Sequence, residues 1–160
     1  MTKADAAIGR LAGCGAVRAA GILLALSAVL LGQVTIHEFS VPTAGGQPLG
    51  ITNGPDGNLW FAEQTGNNIG RITTGGVITE FALPTAYSFP VAITSGPDGN
   101  LWFTEQNIKI GRITTGGVLA EFTLPETFSL LLEGITSGPD GNLWFTESVA
   151  PRSGESPPVA

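Results

Sequence analysis

A 13-residue phrase occurs three times, each copy 42 residues after the last: Ile51 to Glu63, Ile93 to Glu105 and Ile135 to Glu147. The second and third copies both read Ile-Thr-Ser-Gly-Pro-Asp-Gly-Asn-Leu-Trp-Phe-Thr-Glu, and the first differs only in Asn53 and Ala62. A repeat of about 40–45 residues with strand-like alternation is the period of a β-propeller blade. Such a unit cannot bury its own apolar face and must stack on its neighbours. The repeat therefore predicts both the local strands and the way they pack.

One unit reads as four strands. Val91 to Ser95 is the first, ending at Gly96-Pro97, and Asp98-Gly99 is a hairpin turn signal. Leu101 to Glu105 is the second. Alternation puts Leu101, Phe103 and Glu105 on one face, and Trp102 and Thr104 on the other. Ile108 to Thr114 is the third, Thr115-Gly116-Gly117 turns the chain, and Val118 to Leu124 is the fourth. Ile69-Gly-Arg-Ile-Thr-Thr-Gly-Gly recurs at Ile110, a step of 41, so one residue is lost between Gln106 and Ile110. The next connector regains it, which a stacked repeat tolerates in its loops.

The expected fold class is all-β, with propeller-type repeats and an amino-terminal hydrophobic helix. Val34 to Pro42 matches Val77 to Pro84 as a lone fourth strand. Two whole units follow, then half of a third, for about eleven strands. A closed propeller has about 4–8 blades, so the expectation is an incomplete ring. It would be a partial copy of a longer protein, a degenerate remnant, or a homo-oligomer that closes the ring.

Residues 34–148 are assigned to the repeats, 1–33 to a signal peptide or membrane anchor, and 149–160 to a disordered tail. The apolar run Ala19 to Gly32 follows a weakly basic start. Export by a cleaved signal is the first expectation, to the periplasm or outside the cell. An uncleaved anchor touching the membrane through residues 19–32 is the second, and a mis-assigned start the third. Cys14 is the only cysteine, so the chain forms no internal disulfide.

Residues 1–32 carry three basic groups and one acidic, whereas the rest carries four basic and twelve acidic. So acidic a repeat region excludes nucleic-acid binding by phosphate neutralisation. It leaves cations or neutral small molecules as ligands.

Each recurrent side chain has two readings. Trp60, Trp102 and Trp144 pack between blades, or else stack on a ligand. Asp56-Gly57-Asn58 and its copies form turns, rather than a calcium site that needs about six or more oxygens. Arg71 and Arg112 pair with nearby carboxylates, or with an anionic substrate. Glu63, Glu105 and Glu147 are solvated strand ends, or they converge on a central channel and hold a divalent cation.

The phrase, with Ile-Gly-Arg-Ile-Thr-Thr-Gly-Gly and Glu-Phe-x-Leu-Pro, resembles the virginiamycin B lyase (streptogramin B lyase) family over about residues 34–148. The resemblance implies seven-bladed propellers that open a cyclic depsipeptide antibiotic at its ester by elimination, conferring resistance. It also implies magnesium held by glutamates and a histidine as general base. Glu63, Glu105 and Glu147 occupy the matching glutamate positions. The blades carrying the family's catalytic base would lie beyond residue 147, so no catalytic residue is assigned. His37 is the only histidine and falls on an outer strand. A non-catalytic binding or scaffold propeller of the cell envelope and a lactonase-like metal hydrolase remain the alternatives.

Overall fold

The computed structural model describes residues 7–12, 35–125 and 130–149. Twelve strands are described: β1 (Ala7–Ala12), β2 (Thr35–Ser40), β3 (Pro48–Asn53), β4 (Leu59–Glu63), β5 (Asn68–Ile72), β6 (Ile78–Ala82), β7 (Pro90–Ser95), β8 (Leu101–Glu105), β9 (Lys109–Ile113), β10 (Leu119–Thr123), β11 (Leu130–Ser137) and β12 (Leu143–Val149). Strands β3 to β6 form one four-stranded antiparallel sheet and β7 to β10 a second. Strands β11 and β12 begin a third in the same antiparallel order. Strand β1 pairs in parallel with β2, an arrangement the repeat did not predict.

The four expected strands of the second unit appear within a residue or two of their expected ends. The amino-terminal expectation fares differently. The described part of that segment is the strand β1, and there is no helix among the described residues. The apolar run 19–32 and the tail 150–160 lie outside the described residues.

Strand β7 lies beside both β3 and β11, so the first strands of successive blades converge. Gly50 permits this approach: a Cβ there would stand 2.8 Å from the Ala92 Cα and the Val91 carbonyl oxygen. Each first strand breaks register, at Pro48/Ile51, Pro90/Ile93 and Leu132/Ile135. The break leaves the Ala92 N–H without a ladder partner, and it donates to Thr104 Oγ1 at 3.1 Å.

The core lies between blades, where stacking repeats must put it. Trp60, Ala62 and Ile69 of the first blade meet Ile93, Leu101, Phe103 and Ile113 of the second in one buried cluster. On its other face the first blade packs Phe61 and Ile72 against Val41, with Phe39 beside them. Alternation thus gives each blade a tryptophan face turned forward and a phenylalanine face turned back.

The second glycine of each Thr-Gly-Gly turn belongs to the same joint. Gly117 has φ +90°, and a Cβ on it would lie 2.4 Å from the Phe81 ring of the preceding blade. Gly76 stands in the same relation to Phe39.

Candidate functional site

The Asp-Gly-Asn phrase folds as a turn in all three copies. Asp56 accepts from the Asn58 side chain at 2.7 Å and from the Trp60 indole N–H at 3.0 Å. Asp98 does the same for Asn100 and Trp102, and Asp140 for Asn142 and Trp144. Each carboxylate is committed to its own turn. Against slight burial in the first two, these bonds hold Asp56 and Asp98 below the usual carboxylate range.

The tryptophans serve packing, and their exposure tracks the neighbour that covers them. Trp60 is fully buried and stacks on Phe81 at 5.5 Å. Trp102 is half-buried, and Trp144 is 59% exposed. The arginine expectation is corrected. Arg71 lies over the Trp60 and Phe81 rings and donates to the Thr115 carbonyl of the next blade at 3.2 Å. Arg112 lies over Trp102 and Phe122. Among the described residues, the aromatic faces and, for Arg71, a carbonyl take the place of the expected carboxylate.

Glu63 and Glu105 end the second strands of their blades, and both are fully buried. Glu147, at the same place in the third copy, is exposed. The reading of solvated strand ends therefore holds for Glu147 alone. What covers the first two is the linker entering each blade. Pro48 pairs with Glu63 and Pro90 with Glu105, so each linker folds back over its carboxylate. Gly46 packs so closely that a Cβ would lie 2.7 Å from Glu63 Oε2.

A polar knot at the same end joins linker to blade. In the first blade, Glu80 accepts from the Thr43 N–H at 2.9 Å and from its hydroxyl at 2.7 Å. Asn68 donates to Thr43 Oγ1 and to Glu63. In the second, Glu121 takes the place of Glu80 and Thr85 that of Thr43. Lys109 stands where Asn68 stood, and its ammonium reaches Glu121 at 2.9 Å and Thr85 Oγ1 at 2.6 Å. Sequence reasoning passed over this knot, though its signal was present: Leu83-Pro84-Thr85 repeats Val41-Pro42-Thr43.

Electrostatics follow from the knot. Burial pushes Glu63 up to about 7, with Asn68 opposing and the Glu80 charge reinforcing. Burial likewise pushes Glu105 up to about 7, against the nearby Ser88 hydroxyl and Lys109. Neither Glu105 oxygen makes a well-formed hydrogen bond, and Glu63 Oε1 also lacks one. Glu121 stays below its ordinary value despite burial, because Thr85 and Lys109 bond it.

Among the described residues, no group of three or more His, Cys, Asp or Glu side chains comes together to hold a metal ion. Glu63, Glu105 and Glu147 stand on three successive blades, two of them under linkers. As placed here, they do not fit a magnesium ion as a set. His37 is an exposed residue of β2.

The sequence and the fold both have counterparts among known proteins. The virginiamycin B lyase family matches residues 29–157. The chain belongs to that family. Virginiamycin B lyases of Bacillus licheniformis and Saccharopolyspora erythraea are each 48% identical over 46 residues, which is 29% of this chain and 16% or 15% of theirs. A solved streptogramin B lyase superimposes with TM-score 0.64 and 46% identity, over 68% of this chain and 36% of its own. A virginiamycin B lyase from Staphylococcus aureus gives 0.65 and 43%, over 72% and 45%. The chain thus spans less than half the length of these relatives. A putative gluconolactonase, 18% identical with TM-score 0.51, shares the fold alone.

Proposed function

We propose that this chain forms part of a streptogramin B lyase-like propeller, whose ligand is a cyclic depsipeptide bound at the linker end of the blades. The supporting observation is the 46% identity to a streptogramin B lyase across 68% of this chain. A catalytically inactive virginiamycin B lyase from Staphylococcus aureus, solved with quinupristin, is 44% identical over 71% of this chain.

The reaction proposed is ring opening at the ester by elimination. A base removes the proton from the carbon adjacent to the one bearing the ester oxygen, a carbon–carbon double bond forms as that C–O bond breaks, and the ester departs as a carboxylate, with no water added. Glu63 and Glu105, though pushed up to about 7, are fully buried beneath the linkers and out of a ligand's reach. The base in this proposal is therefore neither Glu63 nor Glu105.

A second reading, a binding propeller without turnover, is favoured by the complete burial of Glu63 and Glu105. Incubating the full chain with quinupristin and magnesium separates the two. Ring opening without gain of water, abolished by EDTA, supports the lyase. Retained binding without turnover supports the binding module. Ring opening with water incorporated would replace both with a hydrolase.

A further inference from the structure

The linkers entering the two full blades share one backbone path and differ in one respect. Gly45, Gly46 and Gln47 of the first correspond, 42 residues on, to Tyr87, Ser88 and Phe89 of the second. The left-handed positions coincide: Gly45 has φ +73° and Tyr87 +57°, while Gln47 and Phe89 both have +50°. Glycine adopts this conformation without strain, whereas a bulky aromatic residue is strained there. The first linker shows that the path needs no side chain at the first of these positions. The second linker nevertheless carries a tyrosine.

Burial does not account for it. Tyr87 is 78% exposed, so its ring gains little from packing in the fold, and Phe89 keeps 36% of its surface in solvent. The two rings touch each other, with centroids 6.2 Å apart. The loop beneath them is fixed. Ser88 is fully buried, its N–H donates to Asn67 Oδ1 at 2.8 Å, and its hydroxyl donates to the Thr85 carbonyl at 3.0 Å. Asn107 donates to that hydroxyl at 3.2 Å, and the Gln106 N–H donates to the Ser88 carbonyl at 2.9 Å. Both flanking blades thus clamp the residue between the two aromatics. Strain held by a rigid frame, with no return in burial, marks a functional position. Preorganised aromatic surface also loses little entropy on binding.

We propose that Tyr87 and Phe89 form an aromatic ledge at the linker end of the blades that stacks against a planar or aromatic group of a small ligand. That the ligand is a cyclic depsipeptide rests on the function proposed above; the ledge itself rests on the linker comparison. Phe89 leads through Pro90 into β7, one of the converging first strands.

The test uses Tyr87→Gly, which restores the residue of the sister linker. Quinupristin affinity, measured by calorimetry on the full chain, is expected to fall about tenfold, with Tm unchanged or raised. Phe89→Gln, again the sister residue, is expected to weaken binding severalfold. Equal affinities for both variants and the parent overturn the ledge. So does a lowered Tm for Tyr87→Gly, which would make the ring a folding residue. If the parent chain fails to bind quinupristin, the depsipeptide reading falls and indole becomes the probe. Indole shifting the Tyr87 ring resonances in the parent keeps the ledge, and no shift removes it.

Discussion

The first full blade, β3 to β6, and the second, β7 to β10, are near-copies in sequence and in strand order, yet they are held differently. The first buries Trp60 completely, and the second leaves Trp102 half-buried. The first closes its linker knot with the neutral Asn68, the second with the cation Lys109. The difference teaches that a repeat residue has no fixed energetic role. Its worth depends on which neighbour covers its face and on the one partner that varies between copies.

The largest expected effect tests coverage. Trp60→Ala should cost about 3–5 kcal/mol, the range for emptying a buried aromatic site. Trp102→Ala should cost distinctly less, because its ring is only partly covered. Denaturant unfolding of both variants checks this, and equal losses would mean that the stack on Phe122 matters as much as the blade beyond.

The knot should give the next effect. Lys109→Asn converts the second blade to the first blade's chemistry and should cost about 2 kcal/mol near neutral pH, the scale of hydrogen bonds to a charged group. The reverse change, Asn68→Lys, should supply the missing cation and raise Tm by a few degrees at pH 8.

The pH dependence has a definite sign. Glu63 and Glu105 sit at about 7 in the fold against an ordinary 4.5. The folded chain therefore holds these protons more tightly than the unfolded chain does. Their contribution is complete below pH 4.5 and is lost as pH rises through about 7. Glu105→Gln, which keeps the shape without the charge, should flatten part of that decline in a Tm series from pH 4 to 8. Asn68→Lys should flatten the Glu63 part.

The smallest effect belongs to the turn aspartates. Asp56→Ala should cost about 1 kcal/mol. Asp140→Ala should cost less, since the Trp144 ring it steadies is 59% exposed. Equal losses would mean that the turn, rather than the indole, sets the cost.

The 42-residue period made the strands legible, because alternation and Asp-Gly turns are local signals. The reading of Asp56 as a turn residue survived for the same reason: its partners are two and four residues away. The fate of the glutamates was not local. Nothing in Leu-Trp-Phe-Ala-Glu says that the linker folds over Glu63 while Glu147 stays exposed. The arginines misled for a related reason: a guanidinium invites a carboxylate, but the side chains across Arg71 were two aromatic rings. The left-handed backbone position before each third strand was not legible either: Asn67 fills it at φ +54° in the first blade and Ile108 at +66° in the second. A β-branched residue is strained there, whereas asparagine is tolerated.

By itself the sequence determined the strand order, the turns, the forward and backward faces of each blade and the family. Those follow from period, alternation and turn chemistry, which act over a few residues. Only the tertiary structure decided which equivalent residues are buried, which carboxylates burial pushes above their ordinary range, and which aromatic rings stand free at the linker end. Those properties depend on contacts between blades, and identical phrases acquire different chemistry when their neighbours differ.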